Sequence, residues 1–222
     1  MDSNPYAPDF SAMPDTIAIF PLTGVLLLPH GNLPLNIFEP RYVEMIDDAM
    51  ASSKLIGMVQ PKKSDANGTK TLYQTGCVGK ITEFAETPDG RYIINLTGIC
   101  RFHITNELDT PRPYRIVQPD WKEYDGDVKI PKNLGVDREK LMILLSEFFN
   151  QNGMSCDFDK FETIPDSRLI TTLAMICPFE PSEKQALLEK ICHKERFETF
   201  MTMLEMAINS NGPNNENGVK HH

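Results

Sequence analysis

The sequence contains no uninterrupted apolar run of the roughly 18 residues that a bilayer-spanning helix needs. It has no Cys-x-x-Cys. Its cysteines, Cys77, Cys100, Cys156, Cys177 and Cys192, are odd in number and widely spaced. Neither a disulfide framework nor a structural zinc site fits that spacing, even with His103 or His193 as a further ligand. The reading is of reduced, mostly buried thiols in a cytoplasmic protein. Cys192 stands beside Ile191 on an apolar face, which points to an inert thiol and not to thiol catalysis with His193. Gly-x-x-x-x-Gly-Lys-[Ser/Thr], Gly-x-Ser-x-Gly and His-Glu-x-x-His are all absent, and nothing in the pattern pairs two carboxylates. No catalytic residue, metal or cofactor is expected. The formal net charge of -9 lacks the positive field that nucleic acid or an anionic membrane attracts. Lys62, Lys63 and Lys70 make only a short basic loop. Residues 1 to 13 carry Asp2 and Asp9, no Lys or Arg and no apolar stretch, so a secretory signal is not expected.

What is present changes character along the chain. Residues 1–13 read as a loose arm and 14–121 as β-rich. Thr16 to Phe20 is a β-branched run, and Leu55 to Val59 suits a buried strand. Cys77 to Phe84 and Arg91 to Ile99 form the arms of a hairpin turned by Pro88-Asp89-Gly90. Tyr92, Ile94 and Leu96 share one face by period two. Cys100, Phe102 and Ile104 then alternate with Arg101, His103 and Thr105. Tyr114 to Gln118 is a further strand. Many short strands with turn signals favour a barrel.

One helix is inserted at Pro40 to Ala51, with Val43, Ile46 and Met50 at helical spacing and Glu44, Asp47 and Asp48 on the wet face. Residues 122–135 read as a linker. From 136 to 208 the period is helical. Leu141, Leu144, Leu145 and Phe148 mark a helix from Asp137 to before Gly153. Leu169, Leu173 and Ile176 mark another from Asp166 toward Cys177. Ser182 and Gln185 read as a capping box before Leu187, Leu188 and Ile191. Phe197, Phe200, Met201, Leu204 and Ile208 continue the stripe. Met201, Met203 and Met206 offer a plastic binding face, or else Met201 is core and Met203 and Met206 are partly exposed. Residues 209–222 read as a disordered tail.

Six fragments carry a family resemblance. Ile19-Phe20-Pro21-Leu22, Val25-Leu26-Leu27-Leu28-Pro29 and Leu33 to Tyr42 resemble the opening of the Lon protease N-terminal domain. Gly76 to Ile81 resembles its Gly-Thr-x-Ala-x-Ile strand. Gly98-Ile99-Cys100-Arg101-Phe102 resembles Gly-x-x-Arg-Phe. Glu183 to Glu189, followed by Arg196 and Phe197, resembles Glu-Lys-Gln-x-Leu-Leu-Glu. The resemblance covers residues 15–208. It implies an α+β fold, a PUA-like β pseudobarrel followed by an α-helical bundle. It also implies a substrate-recognition role, here in a free-standing form without the ATPase and Ser-Lys protease parts of Lon.

The functional reading that follows is a non-catalytic, proteolysis-related module that binds unfolded or exposed apolar polypeptide segments. Leu26, Leu28, Leu33 and Leu35 form the candidate apolar wall, with an inner strand as the alternative for part of it. Glu39, Arg41 and Arg101 are the candidate polar contacts. For Arg41 the alternative is pairing locally or with the barrel, with Pro40 starting the helix and Phe38 filling the core, and for Arg101 a tie between loops. A second reading is an adaptor for one partner, such as a protease or chaperone acting in trans, a use made of the Lon-type domain in cereblon. A third is a small-ligand site or enzyme cleft around Glu39, Arg41 and Arg101.

Overall fold

The computed structural model describes residues 6, 10–62, 71–129 and 135–210. Most of the expected arm and tail, and Lys63 and Lys70 of the basic loop, lie outside these residues. The fold is α+β, with six strands and five α-helices among the described residues. The strands are β1 (Ile17–Pro21), β2 (Asn32–Ile37), β3 (Leu55–Val59), β4 (Thr75–Glu86), β5 (Tyr92–Leu108) and β6 (Arg115–Asp120). The helices are α1 (Pro40–Met50), α2 (Arg138–Gln151), α3 (Asp166–Ile176), α4 (Pro181–Leu188) and α5 (His193–Ser210).

Two compact units divide the chain: Met1–Ile130 with Thr171–Glu189, and Pro131–Ile170 with Lys190–His222. The sequence reading instead put all of 136–208 in one helical bundle. The end of α3 and all of α4 belong to the strand unit because their polar groups bond to it, as described below.

In the strand unit the sheet runs β2-β5-β4-β3-β1-β6, and β6 also pairs with β5. That last pairing closes five strands into a barrel. β5 is long enough to serve twice. Its His103–Leu108 end pairs with β6, and its Tyr92–Thr97 end pairs with β2. The extra residues Thr82 on β4, and Ile99 and Thr105 on β5, are bulges that bend these strands. The bulge at Ile99 also breaks the period-two pattern, so Ile99 and Cys100 are both buried.

Ile17, Ile19, Val59, Val78, Phe102 and Val117 belong to the barrel core. Two glycines make room for Phe102. A Cβ on Gly57 would lie 2.8 Å from the ring, and one on Gly76 would lie 2.6 Å from it. Gly98 allows a backbone crossing. Its amide donates to the Gly31 carbonyl at 2.8 Å, its carbonyl accepts from the His30 amide at 2.9 Å, and a Cβ there would sit 2.1 Å from the Leu28 oxygen.

On α1 the buried residues are Tyr42, Met45, Ile46 and Ala49, whereas Val43 and Met50 are half-buried. The acidic face of α1 is used. Tyr92 Oη donates to Asp47 at 2.9 Å, Tyr114 Oη donates to Asp48 at 2.6 Å, and Arg112 pairs with Glu44 and Asp48.

In the helical unit α2 packs on α5, with the Lys140–Glu205 ion pair at 2.7 Å. Asp137 caps α2 by accepting the Lys140 amide, an N-cap bond that satisfies one free donor of the first turn. Arg138 holds Asp166 at 2.6 Å and the carbonyls of Phe161 and Glu162. Leu141, Leu145, Phe148, Phe200 and Leu204 are buried as the periodicity implied. Met201 is also buried, Met203 is half-buried and Met206 is 66% exposed. Two positions depart from the sequence reading: Ile176 is 54% exposed and Ile191 82% exposed. α4 ends at Leu188, so Ile191 never joins its stripe, and Cys192 is exposed with it.

Candidate functional site

The seven sequence candidates separate by burial. Leu26 and Leu28 are 2% and 0% exposed, so the alternative of an inner segment applies and they cannot form a wall for a partner. Leu27 shows why: it contacts the space above Gly79, beside Leu96. Leu33 and Leu35 on β2 remain half-exposed.

Arg101 is also withdrawn from any surface. Its Nε and Nη2 donate to the two Asp127 carboxylate oxygens, each at 2.8 Å, and its Nη1 donates to the Leu188 carbonyl at 3.0 Å. The guanidinium lies 4.6 Å from the centre of the Tyr124 ring. Asp127 further accepts the Arg101 amide at 3.0 Å, and its carbonyl lies 2.7 Å from the His30 ring. A planar, permanently charged group with five donors suits such a knot, and both partners are dry enough for the pair to be strong. Residues 122–128 are therefore not a plain linker. They form two 3-10 turns kinked at Tyr124 that deliver Asp127 into the barrel unit.

Glu39 and Arg41 pair locally. Arg41 Nη2 donates to Glu39 at 2.7 Å, and both are about half exposed. The Arg41 guanidinium also covers the Tyr42 ring at 4.4 Å. Pro40 opens α1, where its missing N–H costs nothing. Phe38, read as a core alternative, is 65% exposed. Glu39 and Arg41 are not gathered with Arg101. β2 ends opposite Tyr92, and Arg101 lies nine residues further along β5, about 30 Å at the usual strand rise. The polar pocket of the third reading is therefore not assembled.

The Glu-Lys-Gln fragment is a docking device within the strand unit. The Glu183 carboxylate accepts the Glu180 amide at 2.8 Å, so the box at the start of α4 is Glu180 with Glu183, not Ser182 with Gln185. Lys184 is buried. Its ammonium donates to the carbonyls of Gly24 at 3.0 Å and of Met175, in the last turn of α3, at 3.1 Å. Burial lowers its pKa, partly offset by the Cys177 thiol. Gln185 donates to the Thr75 carbonyl at 3.1 Å and to Glu189 at 2.7 Å. Burial raises the Cys177 thiol to about 12 and the Cys100 thiol further still, so neither is a nucleophile at neutral pH.

The surviving surface is the part of β2, β5 and β4 beyond the closed barrel. Leu35, Ile94 and Phe84 stand in line across the three strands. Ile94 is buried between the half-exposed Leu35 and the 41% exposed Phe84. The Phe84 ring meets Tyr92 edge-on at 4.9 Å. Phe38 and the Glu39–Arg41 pair follow directly after β2, while Ile93, 51% exposed, lies on the opposite face. Sequence reading missed Phe84 and Phe38 because an alternating strand and a core-like Phe-Glu-Pro motif do not reveal where the barrel stops.

Residues 16–206 match the family model described as the ATP-dependent protease La (LON) substrate-binding domain. Lon protease 1 of Herpetosiphon aurantiacus is 26% identical over 211 residues, which is 90% of this chain and 25% of that protein. Lon protease of Parabacteroides distasonis is 36% identical over 102 residues, covering 45% of this chain and 12% of that protein. The chain spans about a quarter of the length of the first curated relatives it matches. A Lon N-terminal domain protein from Xanthomonas campestris shares the fold with a TM-score of 0.56 and 17% identity, over 84% of this chain and 97% of its own. The N-terminal domain of the Mycobacterium avium complex Lon protease gives a TM-score of 0.54 at 17% identity, over 87% and 98%. The chain belongs to the family of Lon substrate-binding domains.

Proposed function

We propose that this chain is a non-catalytic recognition module that takes exposed apolar segments of client proteins on the projecting β2–β5–β4 surface. The observation that carries the reading is the solvent exposure of Phe84, in line with Ile94 and the half-exposed Leu35 across the sheet, with the exposed Phe38 directly after β2. Covering the exposed parts of these two rings, together with the client surface that covers them, removes about 300 Å² of apolar surface from water. At about 25 cal/mol per Å² this amounts to about 7 kcal/mol before ordering and association costs, so a single contact binds at micromolar strength or weaker. Weak, side-chain-driven contact suits a surface that must accept many clients. The Glu39–Arg41 pair at its rim offers one charge of each sign.

The non-catalytic part of the proposal rests on how the reactive groups are used. The buried carboxylate of Asp127 is committed to Arg101, the ammonium of Lys184 to two carbonyls, and the thiols of Cys100 and Cys177 are held protonated. A cytoplasmic setting is part of the same proposal, supported by five cysteines with no disulfide among them. Light scattering of a denatured client with and without the protein tests the reading. Suppressed aggregation supports it, and no binding at tens of micromolar rejects it.

A further inference from the structure

The projecting sheet has two outer edges, and they are not equivalent. β3 accompanies β4 only from Met58 opposite Cys77 to Leu55 opposite Lys80. One more bond, from the Ile81 amide to the Lys54 carbonyl, ends the contact. Beyond the Thr82 bulge, Glu83 to Glu86 has β5 on one side and, among the described residues, no strand on the other.

The hydrogen-bond alternation of an antiparallel ladder fixes which backbone groups face outward. The Thr87 amide donates to the Arg91 carbonyl at 2.9 Å, so that pair faces inward. Ala85 opposite Ile93 and Glu83 opposite Asn95 are then inward as well, and the Asn95 carbonyl indeed accepts from Thr82 Oγ1 on β4. Phe84 and Glu86 therefore turn both amide and carbonyl to the open side. On β5 the same alternation gives Tyr92, Ile94 and Leu96 to β2. This leaves Asn32, Pro34 and Asn36 facing outward on the β2 edge. Pro34 has no N–H, so the β2 edge lacks a donor at its centre, which is how natural edges are blunted. The β4 edge has no proline. Its charges are both negative: Glu83 and Glu86 are exposed and form no ion pair among the described residues. They stand on opposite faces, with exposed Phe84 on the face of Glu86.

We infer that the Glu83–Glu86 edge of β4 binds client polypeptide by strand addition, selecting an extended basic–x–apolar–basic segment. The inference rests on the client-binding reading and names the segment that reading leaves open. An antiparallel incoming strand sets a basic residue opposite Glu86, an apolar one opposite Phe84 and a basic one opposite Glu83. Main-chain bonds to Phe84 and Glu86 supply affinity, and the side chains supply selection. A second copy of this chain is disfavoured at the same edge because pairing the outward-facing Phe84 and Glu86 of two copies offers no basic residue to Glu83 or Glu86.

Fluorescence anisotropy with labelled decapeptides tests this, using Gly-Ser flanks around Arg-Thr-Val-Arg or Glu-Thr-Val-Glu. The basic peptide should bind at least about tenfold more tightly. N-methylation at its first Arg and its Val, which removes the two amides facing β4, should abolish that binding. Phe84→Pro leaves the ladder to β5 intact and should do the same. Should that variant misfold by circular dichroism, the N-methyl peptide and the Glu83→Lys/Glu86→Lys protein, which should prefer the acidic peptide, decide the matter. Equal binding of both peptides, indifference to N-methylation, or self-association through this edge overturns the inference. If denatured client binds while the peptides do not, the inference falls and the client-binding reading stands. If neither binds, both fall.

Discussion

The Arg101 guanidinium and the Asp127 carboxylate, 26 residues apart in sequence, meet through two hydrogen bonds of 2.8 Å inside the strand unit. Breaking one side of such a buried pair leaves a desolvated charge. Asp127→Asn should therefore cost about 3–5 kcal/mol in urea unfolding. Arg101→Met/Asp127→Leu should cost clearly less than the sum of the two single changes. A loss below about 1 kcal/mol for Asp127→Asn, on the same scale, would show that the pair contributes little.

Gly98 and Gly90 should respond differently to alanine, although both are glycines of the β4–β5 region. A Cβ on Gly98 would lie 2.1 Å from the Leu28 oxygen, and neither backbone segment can move without losing its cross-bonds. Gly98→Ala should destabilise by roughly 3 kcal/mol. Gly90 has a φ of +79° at an open turn with nothing near its Cβ position. Gly90→Ala should cost only about 1 kcal/mol, the left-handed penalty alone. Thermal melts of the two variants check the ranking.

The Gly-x-x-Arg-Phe and Glu-Lys-Gln fragments illustrate how much could be read in advance. Strands β3, β4 and β5 and the helix starts at Pro40, Arg138 and Asp166 follow from local periodicity and turn chemistry, and the α+β class from the family resemblance. Each fragment's purpose does not. Gly98 and Gly76 answer to atoms of Leu28 and Phe102, distant in sequence or on another strand. Arg101 answers to Asp127, hidden in a stretch whose Gly, Pro and charge read as linker. Val25 to Leu28 was legible as unusually apolar, but apolarity alone does not separate a core segment from a docking wall. At the candidate site the gap was largest. Phe38 and Phe84 are exposed because β4 and β5 outrun the barrel, a consequence of strand pairing that no single segment encodes.

Tyr114 links α1 to the barrel in a way that pH can reveal. Burial and the hydrogen bond to Asp48 raise its phenol from 10.0 to about 12. The unfolded chain loses this proton first, so the folded state holds more protons between these values. Stability contributed by Tyr114 is thus fully present below pH 10 and lost as pH rises toward 12. Urea midpoints at pH 9 and pH 11 should fall further for the wild-type protein than for Tyr114→Phe. Equal falls would remove Tyr114 from the account.

Thiol labelling should separate the cysteines by position. Cys192 is exposed, Cys156 half-buried, and Cys77, Cys100 and Cys177 are buried. With iodoacetamide at pH 8, mass spectrometry should find Cys192 modified first and Cys156 more slowly. Cys77, Cys100 and Cys177 should react only after denaturation, the latter two because burial also holds their thiols protonated. Early loss of Cys177 would contradict the docking of α3 and α4 in the strand unit.

The most direct test of the account is the affinity of a labelled, denatured client for the wild-type protein and for Leu35→Ser/Phe38→Ser/Phe84→Ser. All three side chains are partly exposed, so circular dichroism should show the fold retained. The account predicts micromolar binding by the wild-type protein and a loss of at least about tenfold in the triple variant. Unchanged binding by a folded triple variant would contradict it.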